Sequence, residues 1–264
     1  MFSERGNSQI TTPGRLLALV ERERRTRFSG GAFAGLWAYI TPIGWIALIM
    51  LAFEFLGRTV PITVPMPYFV ASGILPYLMF RQIISSLMRT VVANRNLVYL
   101  PDVSRRDILY AAAVGELFNL FVTTALIFGG ILVFYEIELP ADVLRVIIGL
   151  GLAWLLGVGF GRVAALLGLW SDTAYRTIPM VLRPMFWISA IFFIPQELPA
   201  PVIEMLWFNP LAHAIETVRE GLFLDYRSPV SDPWYPLICA FLAYAVSVCL
   251  ERYIAAHGLQ RHKI

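Results

Sequence analysis

The sequence has very few residues of the types that catalysis at a metal or a nucleotide requires. It contains one lysine, Lys263, together with three histidines and two cysteines among 264 residues. A P-loop uses a lysine after its glycine-rich turn to reach the nucleotide phosphates, so ATP hydrolysis by that route is excluded. The histidines and cysteines lack the spacing of a metal site, and no GxSxG nucleophile elbow is present. We therefore expect no catalytic, cofactor-binding or metal-binding residues.

Charged residues are also scarce, and long parts of the chain contain almost none. They make up 15% of the sequence against 58% hydrophobic residues, and the mean hydropathy of +0.68 excludes an ordinary soluble domain. Six apolar stretches each approach or exceed the roughly 20 residues that a helix needs to cross a bilayer. They predict an all-α integral membrane protein, with a cytoplasmic segment at 1–35, a transmembrane domain at 36–264, and spans at 36–57, 68–88, 108–135, 143–169, 177–195 and 234–253.

The arginines are distributed unequally among the segments that connect these spans. The N-terminal 35 residues contain six arginines and residues 89–107 contain four, whereas residues 136–142 contain none. The positive-inside rule then predicts that both termini are cytoplasmic and that residues 58–67, 136–142 and 196–233 lie outside. The net charge of +3 follows from this topology, so we expect no nucleic-acid partner.

The segment before the first span combines leucines with a cluster of arginines. Pro13 is suited to the first turn of a helix, and the residues that follow it predict an amphipathic helix in the cytoplasmic membrane interface. Arg22, Arg25 and Arg27 would face the lipid headgroups. The alternative interpretation is a simple stop-transfer cluster of charges.

The predicted cytoplasmic loop at residues 89–107 contains an apolar patch. Leu97, Tyr99 and Leu100 belong to this patch, and Pro101-Asp102 predicts a turn directly after it. An apolar patch in water is unfavourable, so we expect a partner on the cytoplasmic side to cover it.

The last external connection, residues 196–233, is unusually apolar. It contains two short periodic runs separated by Asn209-Pro210, and neither is long enough to span a membrane. They predict a short helical hairpin before the last span, in the outer interface or partly re-entrant. We expect its charged face to meet the aqueous exit of a transport path; the alternative is a structural cap held by local pairs. The hairpin residues of interest are Trp207, Asn209, Pro210, His213, Glu216, Arg219 and Glu220.

Aromatic residues lie deep in the first and fifth predicted spans. The residues are Trp45, Phe186, Trp187 and Phe192, and aromatic faces stack well on the apolar C–H faces of sugar rings. They predict a path for a sugar polymer, while packing against lipid is the alternative.

The predicted spans also contain ionisable residues and closely spaced glycines. Glu116, Arg162 and Arg183 are costly in hydrocarbon, which predicts pairing within the helix bundle or contact with a polar path. Gly157 and Gly161 form a small-xxx-small pair, which predicts close packing of the fourth span on a neighbouring helix.

Three sequence segments in this order resemble the permease subunits of ABC-2-type capsular polysaccharide exporters. They are RERRTRF before the first span, GILPYLMF in the second, and LWFNPLAHAIETVREGLF in the last external connection. The NPLAH…E..RE part is the most specific of the three. The O-antigen exporter permeases share this plan, and the short RTRF start and the NPLAH segment favour capsule.

The resemblance implies a multi-pass protein of the bacterial inner membrane that exports a lipid-linked polysaccharide. It implies a homodimer, two copies of a separate ABC ATPase, contact with membrane lipids, and periplasmic export proteins as further partners. It also implies that the loop after the second span couples to the ATPase and that a channel runs between the two copies. The coupling residues would be Leu97, Tyr99, Leu100, Pro101, Asp102 and Arg105.

Two other functions are compatible with a six-span membrane protein. One is an integral membrane enzyme of glycan assembly, which would need an acidic or histidine cluster at one membrane face. The other is an ABC-2 permease for O-antigen or for a small-molecule drug. Permeases of the drug type usually differ in the external segment, so the NPLAH hairpin argues against a drug.

Overall fold

The computed structural model describes residues 32–57, 59–60, 62–93, 105–137 and 139–256. The regular structure in this part of the chain is all helical, with eight α-helices and a 3-10 turn at Pro195–Glu197. The α-helices are α1 (Ala32–Phe55), α2 (Met66–Ala93), α3 (Arg105–Phe134), α4 (Val143–Trp170), α5 (Asp172–Ile188), α6 (Ala200–Trp207), α7 (Pro210–Leu222) and α8 (Trp234–Ala256).

Two of the predicted functional segments lie outside the described residues. One is the interface helix with its arginines, and the other is the apolar part of the coupling loop. Arg105 is the first residue of α3. The residues that lie outside are Arg22, Arg25, Arg27, Leu97, Tyr99, Leu100, Pro101 and Asp102.

Four of the described helices are long and apolar enough to cross a membrane, namely α2, α3, α4 and α8. Helix α1 contributes a shorter apolar helix over Ile40–Phe55, and α5 has 17 residues with prolines at positions 179 and 184. The predicted all-α membrane protein is therefore confirmed. The count of six spans stays a prediction.

Helix α5 begins and ends earlier than the fifth predicted span at 177–195. The side chain of Ser171 caps its first turn by accepting a hydrogen bond from the Ala174 N–H at 3.4 Å. The helix ends at Ile188, and Ala190 has a φ of 59°, which no right-handed helix contains. Residues 189–194 therefore continue as irregular chain.

Helices α2 and α4 form the centre of the bundle through close backbone contact. A Cβ atom added at Gly157 would lie 2.9 Å from the Cβ atom of Ile83 and 3.0 Å from the carbonyl oxygen of Phe80. One added at Gly161 would lie 3.0 Å from the Cα atom of Ile84. Since real Cβ atoms do not approach so closely, only glycine permits this contact. The predicted packing role of the two glycines is confirmed.

Helix α7 lies inside the bundle and runs antiparallel to α4. The two backbones are so close that a Cβ atom added at Gly149 would lie 2.8 Å from the Val218 nitrogen, and one added at Gly221 would lie 2.7 Å from the Asp142 carbonyl oxygen. The Asp142 N–H also donates to the Gly221 carbonyl at 2.8 Å. The C-terminal end of α7 therefore lies beside the first residues of α4.

The two short helices of the predicted hairpin are present, and their break falls at Asn209-Pro210 as expected. The Asn209 side chain caps α7 by accepting from the Leu211 N–H at 3.1 Å. Its amide nitrogen donates to the carbonyl of Ile188 at 3.0 Å and to the hydroxyl of Ser189 at 2.9 Å. The tip of the hairpin is thereby attached to the end of α5.

Candidate functional site

The four predicted path residues form one aromatic cluster with Phe186 at its centre. The centroid of the Phe186 ring lies 5.5 Å from that of Trp45, 5.5 Å from that of Trp187 and 5.0 Å from that of Phe192. Phe186 and Phe192 are buried, whereas Trp45 is 37% exposed and Trp187 is 66% exposed. The cluster therefore has two tryptophans at the surface, and the buried rings of Phe186 and Phe192 pack against them.

Two further aromatic residues belong to this cluster and were not anticipated. The Tyr77 ring lies 4.9 Å from Phe186, and the Phe53 ring lies 6.4 Å from Phe192. Tyr77 also donates to the carbonyl of Leu182 at 3.3 Å, which joins α2 to α5. Tyr77 belongs to the GILPYLMF segment, and this was the one feature of the sequence that could have marked it as a functional residue.

The charged side chains of α7 are buried, which contradicts the expectation that they meet water. Arg219 and Glu216 are 0% exposed, and Glu220 is 6% exposed. The irregular chain at 189–194 and the connection at 223–233 cover the polar face of the helix and bond to its side chains. The amphipathic pattern therefore reflects polar contacts within the protein.

Arg219 is bonded to three separate parts of the chain. Its guanidinium group donates to the carbonyls of Ile191 and Phe193, both at 2.8 Å, and to the Ser72 hydroxyl at 3.2 Å. The same group forms an ion pair with Glu216 at 2.7 Å and lies 4.5 Å from the centre of the Phe69 ring. Charge-assisted bonds of this kind are strong in a buried setting. Arg219 thus fixes the segment that positions Phe192.

Glu216 and Glu220 attach the following connection to α7. The Tyr226 hydroxyl donates to Glu216 at 2.6 Å, and burial, reinforced by the Glu216 charge, raises the pKa of Tyr226. Glu220 accepts from the Ser228 N–H at 2.8 Å and from the Ser231 hydroxyl at 2.9 Å.

Glu220 also joins α7 to the start of α4. It forms an ion pair with Arg145 at 2.8 Å, and the Arg145 side chain is about a third exposed. Solvent screens the arginine end of this pair and weakens it, so the buried hydrogen bonds of Glu220 matter more to the fold.

His213 joins the end of α6 to the connection before α8. Its Nδ1 atom accepts a hydrogen bond from the Asp232 N–H at 3.2 Å, so its Nε2–H donates to the Trp207 carbonyl at 2.9 Å. Its ring also lies between those of Trp207 and Tyr235, with centroid distances of 4.9 Å to each. Burial lowers the pKa of His213, partly offset by the Trp207 carbonyl and Asp232. The neutral imidazole is the form that fits both bonds.

A second buried polar network joins α3, α4 and α8. Arg162 donates to the Ser247 hydroxyl at 3.1 Å and forms an ion pair with Glu251 at 3.4 Å. Its guanidinium group also lies over the rings of Tyr110 and Tyr244, whose hydroxyls are hydrogen-bonded to each other. Of the two alternatives left open for the ionisable residues of the spans, Arg162 shows pairing within the bundle.

The same network reaches the first turn of α3. Arg106 donates to both carboxylate oxygens of Glu251, each at 3.1 Å. Because α3 follows the predicted coupling loop directly, Glu251 connects that end of α3 to both α4 and α8. No pattern in the sequence indicated these long-range pairs.

These features define the class of the protein as a multi-pass α-helical membrane protein built around the buried short helix α7. The ABC-2 type transporter family matches residues 14–223, and the chain belongs to that family. The family membership expected from the resemblance is confirmed.

The similar proteins of known role are inner-membrane or transport proteins. The chain is 27% identical over 215 residues to the polysialic acid transport protein KpsM of Escherichia coli, covering 80% of this chain and 82% of KpsM. It is 25% identical over 229 residues to the capsule polysaccharide export inner-membrane protein CtrC of Neisseria meningitidis serogroup A, covering 84% of each. It is 26% identical over 221 residues to the corresponding protein BexB of Haemophilus influenzae, covering 82% of each.

Proposed function

We propose that this chain is the membrane-spanning subunit of an ABC transporter that exports a capsular polysaccharide across the bacterial inner membrane. The family match and the names of the three similar proteins support this function, since the matches extend over most of each chain. The aromatic cluster around Phe186 is the single structural observation that favours a sugar polymer. Its exposed tryptophans present apolar ring faces of the kind on which sugars stack.

A separate ATPase would supply the energy for export. The chain has no lysine that could serve a P-loop, because Lys263 is the only lysine and no glycine-rich P-loop turn precedes it. We propose that two ATPase subunits bind the cytoplasmic face and contact the loop that contains Tyr99 and Leu100. The network around Glu251 supports this role, because it would transmit a displacement of the first turn of α3 to α4 and α8.

The proposed topology has six spans, cytoplasmic termini and a re-entrant hairpin formed by α6 and α7. Helices α1 and α5 would be the two spans that are needed in addition to α2, α3, α4 and α8. The bonds from Asn209 to Ile188 and Ser189 support the re-entrant position, because they attach the hairpin tip to the end of a proposed spanning helix. The hydrogen bonds of Arg219 support it too, since irregular chain at membrane depth needs partners for its carbonyl groups.

The proposed path for the polymer lies between two copies of the chain, beside α1 and α5. Helix α5 has an exposed face along its whole length, which a second copy and a water-filled path would cover together. Lipid-linked substrate would enter from the cytoplasmic leaflet, and periplasmic export proteins would receive it outside.

The proposed function is tested by deleting the coding sequence in its own bacterium and restoring it on a plasmid. We expect the deletion to remove surface polysaccharide and to leave polymer inside the cell, and the plasmid to reverse both effects. Unchanged surface polysaccharide in the deletion strain would refute the function. If the deletion strain loses O-antigen and keeps its capsule, the exported polymer is O-antigen. If it keeps both and its drug efflux changes, the protein is a drug permease.

The proposed topology is tested by reporter fusions at two positions. A fusion at Ser228 should report the periplasm, and a fusion at Ser104 should report the cytoplasm. A cytoplasmic reporter signal at Ser228 would contradict the six-span arrangement.

A further inference from the structure

Glu251 of α8 is shared by two arginines that belong to different helices. Each of its carboxylate oxygens lies 3.1 Å from the Nε atom of Arg106, and one of them lies 3.4 Å from the Nη2 atom of Arg162. Arg106 is in the first turn of α3 and is half exposed, whereas Arg162 is in α4 and is almost fully buried. One carboxylate therefore serves two cations, and the more exposed cation has the shorter contacts.

This arrangement leaves part of the Arg162 guanidinium group unused. Its Nε atom donates to the Ser247 hydroxyl and its Nη2 atom to Glu251, but its Nη1 atom is buried and has no hydrogen-bond partner among the described residues. A buried donor without an acceptor costs free energy, and the cost is larger in a charged group. The rings of Tyr110 and Tyr244 offset part of this cost, with centres 5.3 Å and 4.8 Å from the guanidinium carbon. A second bond to Glu251 would remove the rest.

The geometry of an arginine side chain permits such a second bond. The Nη1 and Nη2 atoms form a planar fork that fits the two oxygens of one carboxylate. Nη2 of Arg162 already contacts Glu251, so rotation of the glutamate side chain would bring its other oxygen toward Nη1. The carboxylate cannot hold Arg106 through both oxygens and fill this fork at the same time. Two arrangements of Glu251 therefore exclude each other.

The helices that carry Arg162 and Glu251 are packed tightly against each other. A Cβ atom added at Gly159 of α4 would lie 2.6 Å from the Ala240 carbonyl oxygen of α8, so the two backbones are in contact. The distance between Arg162 and Glu251 is therefore set by the packing of two rigid helices.

The beginning of α3 is attached at a greater distance. The indole N–H of Trp154 in α4 donates to the Ala113 carbonyl of α3 at 3.2 Å. Ala113 is seven residues beyond Arg106, which corresponds to about 10 Å along the helix axis. Arg106 thus lies between this bond and the predicted coupling loop. A displacement of the loop would act on the contact between Arg106 and Glu251 before it reaches the rest of α3.

We propose that Glu251 is a two-position switch, which holds the start of α3 through Arg106 in one position and pairs through both oxygens with Arg162 in the other. Release of α3 is then inexpensive, because the bonds that Glu251 loses are replaced by bonds to a donor that lacks an acceptor. Arg106 and Glu251 act as positioning residues, since they decide whether the start of α3 moves with α8 or separately from it. This proposal rests on the proposed coupling to an ATPase and states how the helices respond. The alternative is a static bridge, in which Glu251 holds both arginines throughout.

The switch is tested first on the full-length permease alone, purified in detergent. The melting temperatures of the wild type, R162M, E251Q and R162M/E251Q give the coupling between the two residues, and the same set is repeated in the presence of R106Q. We expect the coupling, measured as a shift in melting temperature, to be about twice as large with R106Q, because Glu251 then forms two bonds with Arg162. A static bridge predicts equal or smaller coupling, and that result would overturn the proposal.

R252Q provides a matched control for the effect of charge. Arg252 is the exposed neighbour of Glu251 in α8, so its replacement removes a positive charge from the same end of the bundle. The coupling between Arg162 and Glu251 should be the same with R252Q as in the wild type. If R252Q enlarges the coupling as much as R106Q does, the effect is one of general charge and the proposal is wrong.

A second variant keeps the switch testable if R162M does not fold. R162K retains a buried cation beside Glu251 but lacks the fork that binds both oxygens of a carboxylate. Since the second position of the switch is weakened, Glu251 should stay with Arg106. Amide hydrogen exchange over residues 105–112 should then be about threefold slower in R162K than in the wild type. Equal or faster exchange would contradict the switch.

The role in export is tested in cells that also produce the ATPase. R106Q should keep its normal level in the membrane, because Arg106 is half exposed, but should lose most of the surface polysaccharide. R106K should restore part of the export by restoring the charge, and R252Q should export normally. Normal export by R106Q would refute the role of the switch. Failure of the proposed function has a different readout, since it leaves surface polysaccharide intact in the deletion strain, whereas the melting experiment requires neither polymer nor ATPase.

Discussion

The guanidinium group of Arg219 donates a hydrogen bond to the backbone carbonyl of Ile191 at 2.8 Å, which fastens helix α7 to the irregular chain after α5. Arg219 also donates a hydrogen bond to the carbonyl of Phe193. The two carbonyls flank Phe192, which belongs to the aromatic cluster. One buried side chain therefore satisfies two carbonyl groups that no helix satisfies. The hairpin and the aromatic cluster are mechanically connected through this arginine.

Replacement of Arg219 by alanine should damage the fold of the protein. The change would leave the buried carboxylate of Glu216 without its cation and two carbonyl groups without donors, a loss of about 3–5 kcal/mol by analogy with other buried pairs. We expect a lower melting temperature in detergent and a lower amount of protein in the membrane. Both are measured on the same preparations, with R227A as the control for loss of an exposed arginine.

A double variant separates the ion pair from the other bonds of Arg219. E216Q alone should cost less than R219A, because Arg219 keeps its bonds to the carbonyls of Ile191 and Phe193 and to the hydroxyl of Ser72. In E216Q/R219A no buried charge is left unpaired, so its loss of stability should be smaller than the sum of the two single losses. Near-normal melting of R219A would contradict the structural role of the arginine and favour a role in gating alone.

Gly157 and Gly151 provide a matched pair of tests within helix α4. A methyl group at Gly157 would meet Ile83 and the Phe80 carbonyl, whereas nothing lies within 4 Å of one at Gly151. G157A should therefore destabilise the bundle by about 1–3 kcal/mol through overpacking. G151A should be neutral or stabilising by roughly 0.5–1 kcal/mol, because alanine favours a helix more than glycine does.

Thermal melting of the two alanine variants measures this difference. Equal melting temperatures would mean that α2 and α4 do not approach each other as closely as the backbone indicates.

Local chemistry in the sequence predicted the close helix contact at the glycines and selected the aromatic residues as a group, but it did not predict the burial of α7. Glycines four residues apart mark a helix face that another backbone can approach, and Phe186 and Trp187 are adjacent in the chain. A 3.6-residue period, by contrast, defines a polar face without defining what covers it. The groups that cover the α7 face, at Ile191, Phe193 and Tyr226, are apolar or neutral residues elsewhere in the chain, and no pattern connects them to Arg219.

The end of α5 was missed for a related reason. The sequence continues without a break in hydropathy from Trp187 through Ile194, so composition alone extends the helix. The helix ends because tertiary bonds stabilise the irregular chain, including the bond from Asn209 to Ser189. Long-range hydrogen bonds of this kind depend on the complete fold.

Acidification should destabilise the hairpin of α6 and α7 through His213. Burial lowers the pKa of His213 below its ordinary value of 6.5, so the unfolded chain binds a proton more readily than the folded protein. Stability from this group is therefore present above that value and is lost as the pH falls below it. Between about pH 7.5 and about pH 5.5 the loss is at most about 1.4 kcal/mol, the limit set by one proton.

The measurement is the melting temperature of the detergent-solubilised protein across this pH range. H213Q keeps a donor for the Trp207 carbonyl and cannot be protonated, so its melting temperature should fall less on acidification than that of the wild type. H257Q removes a different histidine and should retain the wild-type pH dependence. An H213Q variant with undiminished pH dependence would show that other groups are responsible.

The coupling loop provides the sharpest test of the proposed ATPase partner. Tyr99 and Leu100 belong to a predicted cytoplasmic apolar patch that a partner must cover, so Y99D/L100D should abolish export and weaken ATPase association. The permease should remain in the membrane, because the change lies outside the spanning helices.

L139D, which alters an exposed leucine of a predicted external connection, is the control and should retain the ATPase. Co-purification of the ATPase with each variant, together with surface polysaccharide in the same strains, measures both effects. Normal export by Y99D/L100D would mean that the apolar patch does not serve the ATPase, and the connection from α3 through Glu251 to α8 would then need another source of movement.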